Sequence, residues 1–98
     1  MEIVERIEPL RAALEAPRRR GEGIALVPTM GALHEGHLAL VDRARELAGT
    51  VVMSLFVNPL QFGPNEDFAR YPRDRNGDAR LADSRGVDIL FAPQPDEL

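Results

Sequence analysis

The sequence predicts an α/β fold, a Rossmann-like parallel sheet whose βαβαβ order is half of a doubly wound nucleotide-binding domain. Three apolar runs suit strands, over 24–27, 50–57 and 88–92. Helical patterns separate these runs, so the strands are expected to be parallel and joined by right-handed crossovers. The middle run is apolar almost throughout, which favours a strand buried on both faces of a parallel sheet.

The helices are predicted from apolar residues that recur at helical spacing. A first helix opens at Glu8-Pro9, and Pro17 is expected to weaken or end it. A second helix is predicted over 33–48, with Gly49 as its stop. A weaker helix is predicted over 75–85.

Length and composition indicate one small domain over residues 1–98. The net charge of -4 argues against non-specific binding to nucleic acid. No apolar run approaches the roughly 20 residues of a membrane helix, and the N-terminus lacks the pattern of a signal peptide. We therefore expect a cytoplasmic protein with no membrane or nucleic-acid partner.

The segment 28–37, which reads Pro-Thr-Met-Gly-Ala-Leu-His-Glu-Gly-His, follows the first strand and opens the second helix. His34 and His37 are three residues apart, so they are expected to share a helix face. They lie where a helix N-terminus favours an anion, and Gly36 leaves room for a flat ring against the helix end. The pattern predicts a nucleotide phosphate site. A zinc site is disfavoured because the chain has no cysteine and no further histidine, and no metal ligands are predicted.

A long polar connection over 58–72 follows the second strand. Ligands of doubly wound sheets bind beyond the carboxyl ends of the strands. The block over 58–65 and the histidine segment should therefore meet at one edge of the sheet. No Gly-x-Gly-x-x-Gly or P-loop motif is present, so a dinucleotide dehydrogenase or a P-loop kinase is a poor interpretation.

Three blocks, 27–38, 56–67 and 70–73, resemble the pantothenate synthetase family of the adenylyl-transferring superfamily that carries a His-x-Gly-His motif. The resemblance implies an ATP-dependent pantoate–β-alanine ligase. Such an enzyme condenses pantoate with β-alanine through a pantoyl-adenylate and yields pantothenate, AMP and pyrophosphate. The resemblance covers nearly the whole chain.

The same resemblance implies roles for individual residues. His37 and His34 would be catalytic, with His37 as proton donor. Gln61 would contact both pantoate and β-alanine, and Asn58 and Met30 would help to bind pantoate. Mg²⁺ is expected to arrive with the ATP phosphates rather than in a protein cage. The residues implied in ATP binding are Met30, Gly31, Ala32, Leu33, His34, Glu35, Gly36 and His37.

Enzymes of this family are much longer and carry a second nucleotide segment and a C-terminal domain. We therefore expect this chain to be an N-terminal fragment with little or no activity alone. One alternative is a non-catalytic fragment that binds nucleotide or substrate. Another is a general nucleotidyltransferase, which the block over 58–62 disfavours. A homodimer stays open, since the charges over 66–73 suit either a solvated or a dimer-facing surface.

Overall fold

The computed structural model describes residues 1–57 and 74–94. Within these ranges the chain forms a four-stranded sheet in the order β1-β4-β3-β2, and each pair of neighbours is parallel. The predicted parallel α/β architecture is confirmed. The elements in chain order are β1 (Glu2–Val4), α1 (Ile7–Arg19), β2 (Ile24–Thr29), α2 (Glu35–Leu47), β3 (Thr50–Leu55), α3 (Arg75–Ser84) and β4 (Ile89–Phe91).

Helices cover both faces of the sheet, and successive residues of β3 serve opposite faces. Val51 and Met53 belong to the core that α2 and α3 cover, whereas Val52 belongs to the core under α1. This alternation follows from the two-residue period of a strand. It explains why the run is apolar almost throughout. The larger core contains Val27, Val41, Ala44, Val51, Met53, Ala82, Val87 and Leu90.

The strand β1 was not predicted. It is three residues long, only Val4 of the three is buried, and it pairs with β4 at the edge of the described sheet. Its position is fixed from both ends, because the Glu2 N–H donates to the Asp88 carbonyl at 2.9 Å and the Ala92 N–H donates to the Val4 carbonyl at 2.8 Å. One buried side chain is too little pattern for a strand to be predicted from periodicity.

Pro17 was expected to weaken or end the first helix, and it does not end it. The helix continues to Arg19 with Pro17 inside its last turn, and the proline is buried. A proline there removes one backbone hydrogen bond close to an end that already has unpaired carbonyls, so its cost is smaller than in a helix centre.

The strand β2 also runs further than predicted, through Pro28 to Thr29. The Thr29 carbonyl accepts from the Phe56 N–H at 3.1 Å, so Thr29 faces β3. Backbone groups of successive strand residues point to opposite sides. Pro28, which lacks an N–H, therefore faces away from β3, where the missing donor costs no bond in this ladder.

The ends of α2 and β3 differ from the prediction as well. The helix begins at Glu35 because His34 has extended backbone and serves as its N-cap, and it ends at Leu47. The strand ends at Leu55 rather than at residue 57. Gly49 does not have the positive φ of a left-handed helix stop. An added Cβ there would lie 2.8 Å from Glu22 Oε1, so the Glu22 side chain would have to move.

The block over 58–65, with Asn58 and Gln61, lies outside the described residues. In the parts of the chain that the structure describes, no helix is both long and apolar enough to cross a bilayer.

Candidate nucleotide site

The turn between β2 and α2 carries the histidine segment to the carboxyl edge of the sheet. Thr29, which is buried, donates through Oγ1 to the Ser54 carbonyl at 2.9 Å and accepts from the Gly31 N–H at 3.3 Å. Gly31 and Ala32 then take positive φ values of 88° and 52°. For Ala32 this left-handed conformation costs on the order of 1 kcal/mol, so other contacts must hold the turn.

One such contact is the carboxylate of Asp78, which is buried on α3. Its Oδ2 accepts from the Ala32 N–H at 3.0 Å and its Oδ1 accepts from the Leu33 N–H at 2.9 Å. Hydrogen bonds to a charged acceptor are roughly twice as strong as neutral ones. Asp78 was not predicted from the sequence, because its partners lie 45 and 46 residues away and no motif connects them.

His34 and His37 form a reciprocal cap on α2. His34 Nδ1 accepts from the Gly36 N–H at 3.0 Å, and His37 Nδ1 accepts from the His34 N–H at 3.1 Å. The ring centroids lie 4.1 Å apart and the ring planes are inclined by 41°. The expectation that the two rings would lie together is met, although His34 precedes the helix instead of belonging to its first turn.

These hydrogen bonds determine the tautomer of each ring. A ring nitrogen that accepts an N–H cannot carry its own proton, so in the neutral imidazole the proton is on the other nitrogen. Both rings therefore carry an Nε2–H, and their Nδ1 atoms are occupied by backbone. The arrangement presents two neighbouring N–H donors at the end of a helix whose dipole already attracts anions.

The pKa of His37 lies below its usual value, chiefly because the ring is partly buried. The neighbouring His34 lowers this pKa further, while the carboxylate of Asp78 raises it. The main physical cause is the cost of placing a positive charge in a partly desolvated position. This favours a neutral ring near pH 7, which keeps Nδ1 available as the cap acceptor.

Gly36 is required by the position of the His34 ring. A Cβ at residue 36 would lie 2.8 Å from His34 Cε1 and 3.0 Å from His34 Nδ1. The sequence predicted that this glycine makes room for a flat ring at the helix end. In the structure the ring that uses this room is the imidazole of His34.

The remaining residues of the histidine segment differ in their surroundings. The carboxylate of Glu35 pairs with Arg85 at 3.2 Å and is largely exposed. Met30 is half-buried at the end of β2. Ala32 and Leu33 line a cavity of 510 Å³ between the turn and α3, whose described lining does not include the two histidines.

The described residues do not form a metal centre. Among residues 1–57 and 74–94 no group of three or more His, Cys, Asp or Glu side chains could hold a metal ion. Of the carboxylates near the histidine pair, Asp78 accepts from two backbone amides and Glu35 pairs with Arg85.

The fold and the histidine pair define a class of proteins, parallel α/β domains with a His-x-Gly-His segment at a helix N-terminus behind a strand. The family model described as pantoate-beta-alanine ligase matches residues 2–98. The chain belongs to this family.

Individual relatives agree with this assignment. The pantothenate synthetase of Geobacillus kaustophilus is 56% identical over 98 residues, which are 100% of this chain and 33% of that protein. A crystal structure of pantothenate synthetase from Thermus thermophilus matches with a TM-score of 0.90 and 56% identity, and covers 99% of this chain and 33% of its own. This chain thus spans about a third of the length of these relatives.

A third comparison includes ligands. A crystal structure of pantoate-beta-alanine ligase from Francisella tularensis, described as complexed with "Beta-gamma ATP" and beta-alanine, matches with a TM-score of 0.90 and 37% identity. The match covers 99% of this chain and 37% of that one.

Proposed function

We propose that this chain supplies the ATP-binding part of a pantoate–β-alanine ligase, with residues 1–98 as a single nucleotide-binding domain. The observation that carries the proposal is the pair of Nε2–H donors, which the reciprocal cap of α2 holds side by side at a helix N-terminus. The triphosphate of ATP is an anion with oxygen acceptors spaced for several such donors. The relative that is described as complexed with "Beta-gamma ATP" supports the choice of ligand.

The reaction would proceed in two steps. A carboxylate oxygen of pantoate attacks the α-phosphorus of ATP, the bond to the β-phosphate oxygen breaks, and pyrophosphate leaves. The amine of β-alanine then attacks the carbonyl carbon of the pantoyl-adenylate, AMP leaves, and the amide of pantothenate forms with loss of a proton. In the first step negative charge grows on the phosphate oxygens, where His34 and His37 would donate through Nε2–H.

His37 is the proposed proton donor to the leaving group. In its neutral form the ring would hydrogen-bond a departing pyrophosphate oxygen through Nε2–H, while Nδ1 keeps its bond to the His34 N–H. Transfer of the proton itself would need the imidazolium, which the lowered pKa of His37 makes a stronger acid but a less populated form near pH 7. His34, which is more exposed, would act as a second hydrogen-bond donor.

Magnesium does not fit a site built from the described residues, because the carboxylates of Asp78 and Glu35 are engaged within the protein. Mg²⁺ would take most of its ligands from the ATP phosphates and from water.

Gln61 would bind pantoate and β-alanine, and Asn58 and Met30 would contribute to the pantoate site. Cytoplasmic localisation and a homodimer belong to the same proposal. A general nucleotidyltransferase is the less favoured alternative.

The proposal can be tested by joining this chain to the part of the Thermus thermophilus relative that it does not match. Release of AMP should then require pantoate, β-alanine and ATP together, and His37→Ala should lower kcat by on the order of a hundredfold. Leu47→Ala is the matched control, since Leu47 is exposed at the far end of α2. Release of AMP that ignores pantoate, or an unchanged rate for His37→Ala, would contradict the proposal.

A further inference from the structure

The buried carboxylate of Asp78 has no role in the reaction proposed above. It is 5% exposed, and both of its oxygens accept from backbone amides of another element. A buried charge is costly unless its oxygens are satisfied. These two N–H donors lie directly before His34, so the carboxylate is bound to the turn that carries the histidine pair.

The turn needs such a partner because its backbone is unusual. Gly31 and Ala32 have consecutive positive φ values, which direct the N–H groups of Ala32 and Leu33 toward α3. The fit is close: a Cβ added at Gly31 would lie 3.1 Å from Asp78 Oδ2 and 3.1 Å from Leu55 Cδ1. A shift of the carboxylate would therefore be transmitted to the backbone that leads into the cap of α2.

We propose that Asp78 is a positioning residue that fixes the turn before His34 and thereby aims the Nε2–H groups of His34 and His37 at the nucleotide phosphates. This proposal rests on the proposed function, since it assumes that the histidine pair binds ATP. Asp78 acts through the backbone of Ala32 and Leu33 and is not itself expected to touch the ligand.

The direct test is Asp78→Asn in the 98-residue chain, with ATP as the probe and NMR as the readout. The variant keeps the shape of the side chain but loses the charge and one of the two acceptors. The amide signals of Ala32 and Leu33 should move, and the affinity for ATP should fall on the order of tenfold.

Asp74→Ala is the matched control. Asp74 is also an aspartate at the start of α3, and it caps this helix by accepting from the Gly77 N–H at 3.0 Å. Its loss should destabilise α3 without a direct effect on the turn. The affinity for ATP should then stay within about twofold of the wild-type value.

A second readout separates positioning from general stability. The Asp78 carboxylate raises the pKa of His37, so Asp78→Asn should lower that pKa, whereas Asp74→Ala should leave it in place. The pKa can be followed through the Hε1 signal of the His37 ring. If Asp78 only stabilised α3, both variants would change the pKa of His37 equally, and that result would overturn the proposal.

Hydrogen exchange in the wild-type chain gives a test that does not depend on how the variants fold. The amides of Ala32 and Leu33 lie outside helices and strands, so slow exchange there would come from their bonds to Asp78. Exchange as fast as in an open loop, or Asp78→Asn with wild-type ATP affinity and unmoved turn amides, would overturn the proposal. If the wild-type chain binds no ATP, the proposed function fails instead, while the amide and His37 readouts still decide whether Asp78 sets the turn.

Discussion

Substitution of Gly36 by alanine should separate the stability of α2 from its ability to bind ATP. The added Cβ would lie 2.8 Å from His34 Cε1 and 3.0 Å from His34 Nδ1, so the ring must swing away from the helix end. The swing breaks the bond from the Gly36 N–H, and it removes the His34 Nε2–H from its place beside His37.

Two terms in the free energy of unfolding should nearly cancel. Loss of an N-cap bond costs about 1 kcal/mol, and the higher helix propensity of alanine returns up to about 1 kcal/mol. The free energy of ATP binding has no such compensating term. A lost hydrogen bond to a charged group costs about 1.5–3 kcal/mol, which corresponds to a roughly tenfold to hundredfold weaker Kd for ATP.

Urea unfolding followed by circular dichroism measures the first quantity, and an NMR titration with ATP measures the second. Gly23→Ala is a suitable control, because an added Cβ there meets its nearest atoms at 3.7 Å, an ordinary contact. Wild-type affinity in Gly36→Ala, accompanied by a gain in stability of about 1 kcal/mol, would refute the reasoning that the glycine exists to seat the His34 ring.

Three further predictions concern the histidine pair, the isolated chain and the block over 58–65. His37→Gln should lessen the loss of stability in acid. Because folding lowers the pKa of His37, the contribution of this ring to the free energy of unfolding is complete above the unfolded pKa of about 6.5 and falls as the pH drops through the folded pKa. The free energies of urea unfolding at pH 8 and pH 5 should therefore differ more for the wild type than for the variant, and equal differences would contradict the prediction. The 98-residue chain alone should release AMP very slowly or not at all, and a coupled assay that finds ordinary turnover, roughly 1 to 1,000 per second, would show that the chain needs no further segment. Gln61→Ala, which tests a sequence-based assignment, should weaken the binding of pantoate and leave the binding of ATP nearly unaffected. A calorimetric titration that finds the reverse would show the assignment to be wrong.

The fold was predictable where the pattern was long enough to carry information. The run from Val51 to Met53 and the helical spacing after Leu33 placed β3 and α2 to within about two residues. The strand β1 could not be found, because only Val4 in it is buried. Pro17 misled as a helix boundary, since it lies where its missing N–H costs little. The first strand was predicted to end at residue 27, but it continues through Pro28 to Thr29.

The site was predictable in composition but not in geometry. Spacing placed His34 and His37 together, yet it could not show that each Nδ1 accepts a backbone N–H and that each Nε2 is therefore the donor. The role of Asp78 could not be predicted from the sequence for a different reason. Its role depends on a contact across 45 residues that only the packing of α3 against the turn creates.

The most direct test of the account is the protonation of the two imidazole rings, measured by long-range ¹H–¹⁵N NMR on the ¹⁵N-labelled chain near neutral pH with and without ATP. Both rings should be Nε2–H tautomers, and both Nε2 signals should shift on addition of ATP. The shifts should saturate around millimolar ATP, because a partly covered ligand is expected to bind with a free energy of about -4 kcal/mol. A ring protonated on Nδ1, or Nε2 signals that ATP leaves unmoved, would contradict the claim that the cap of α2 aims two donors at a nucleotide.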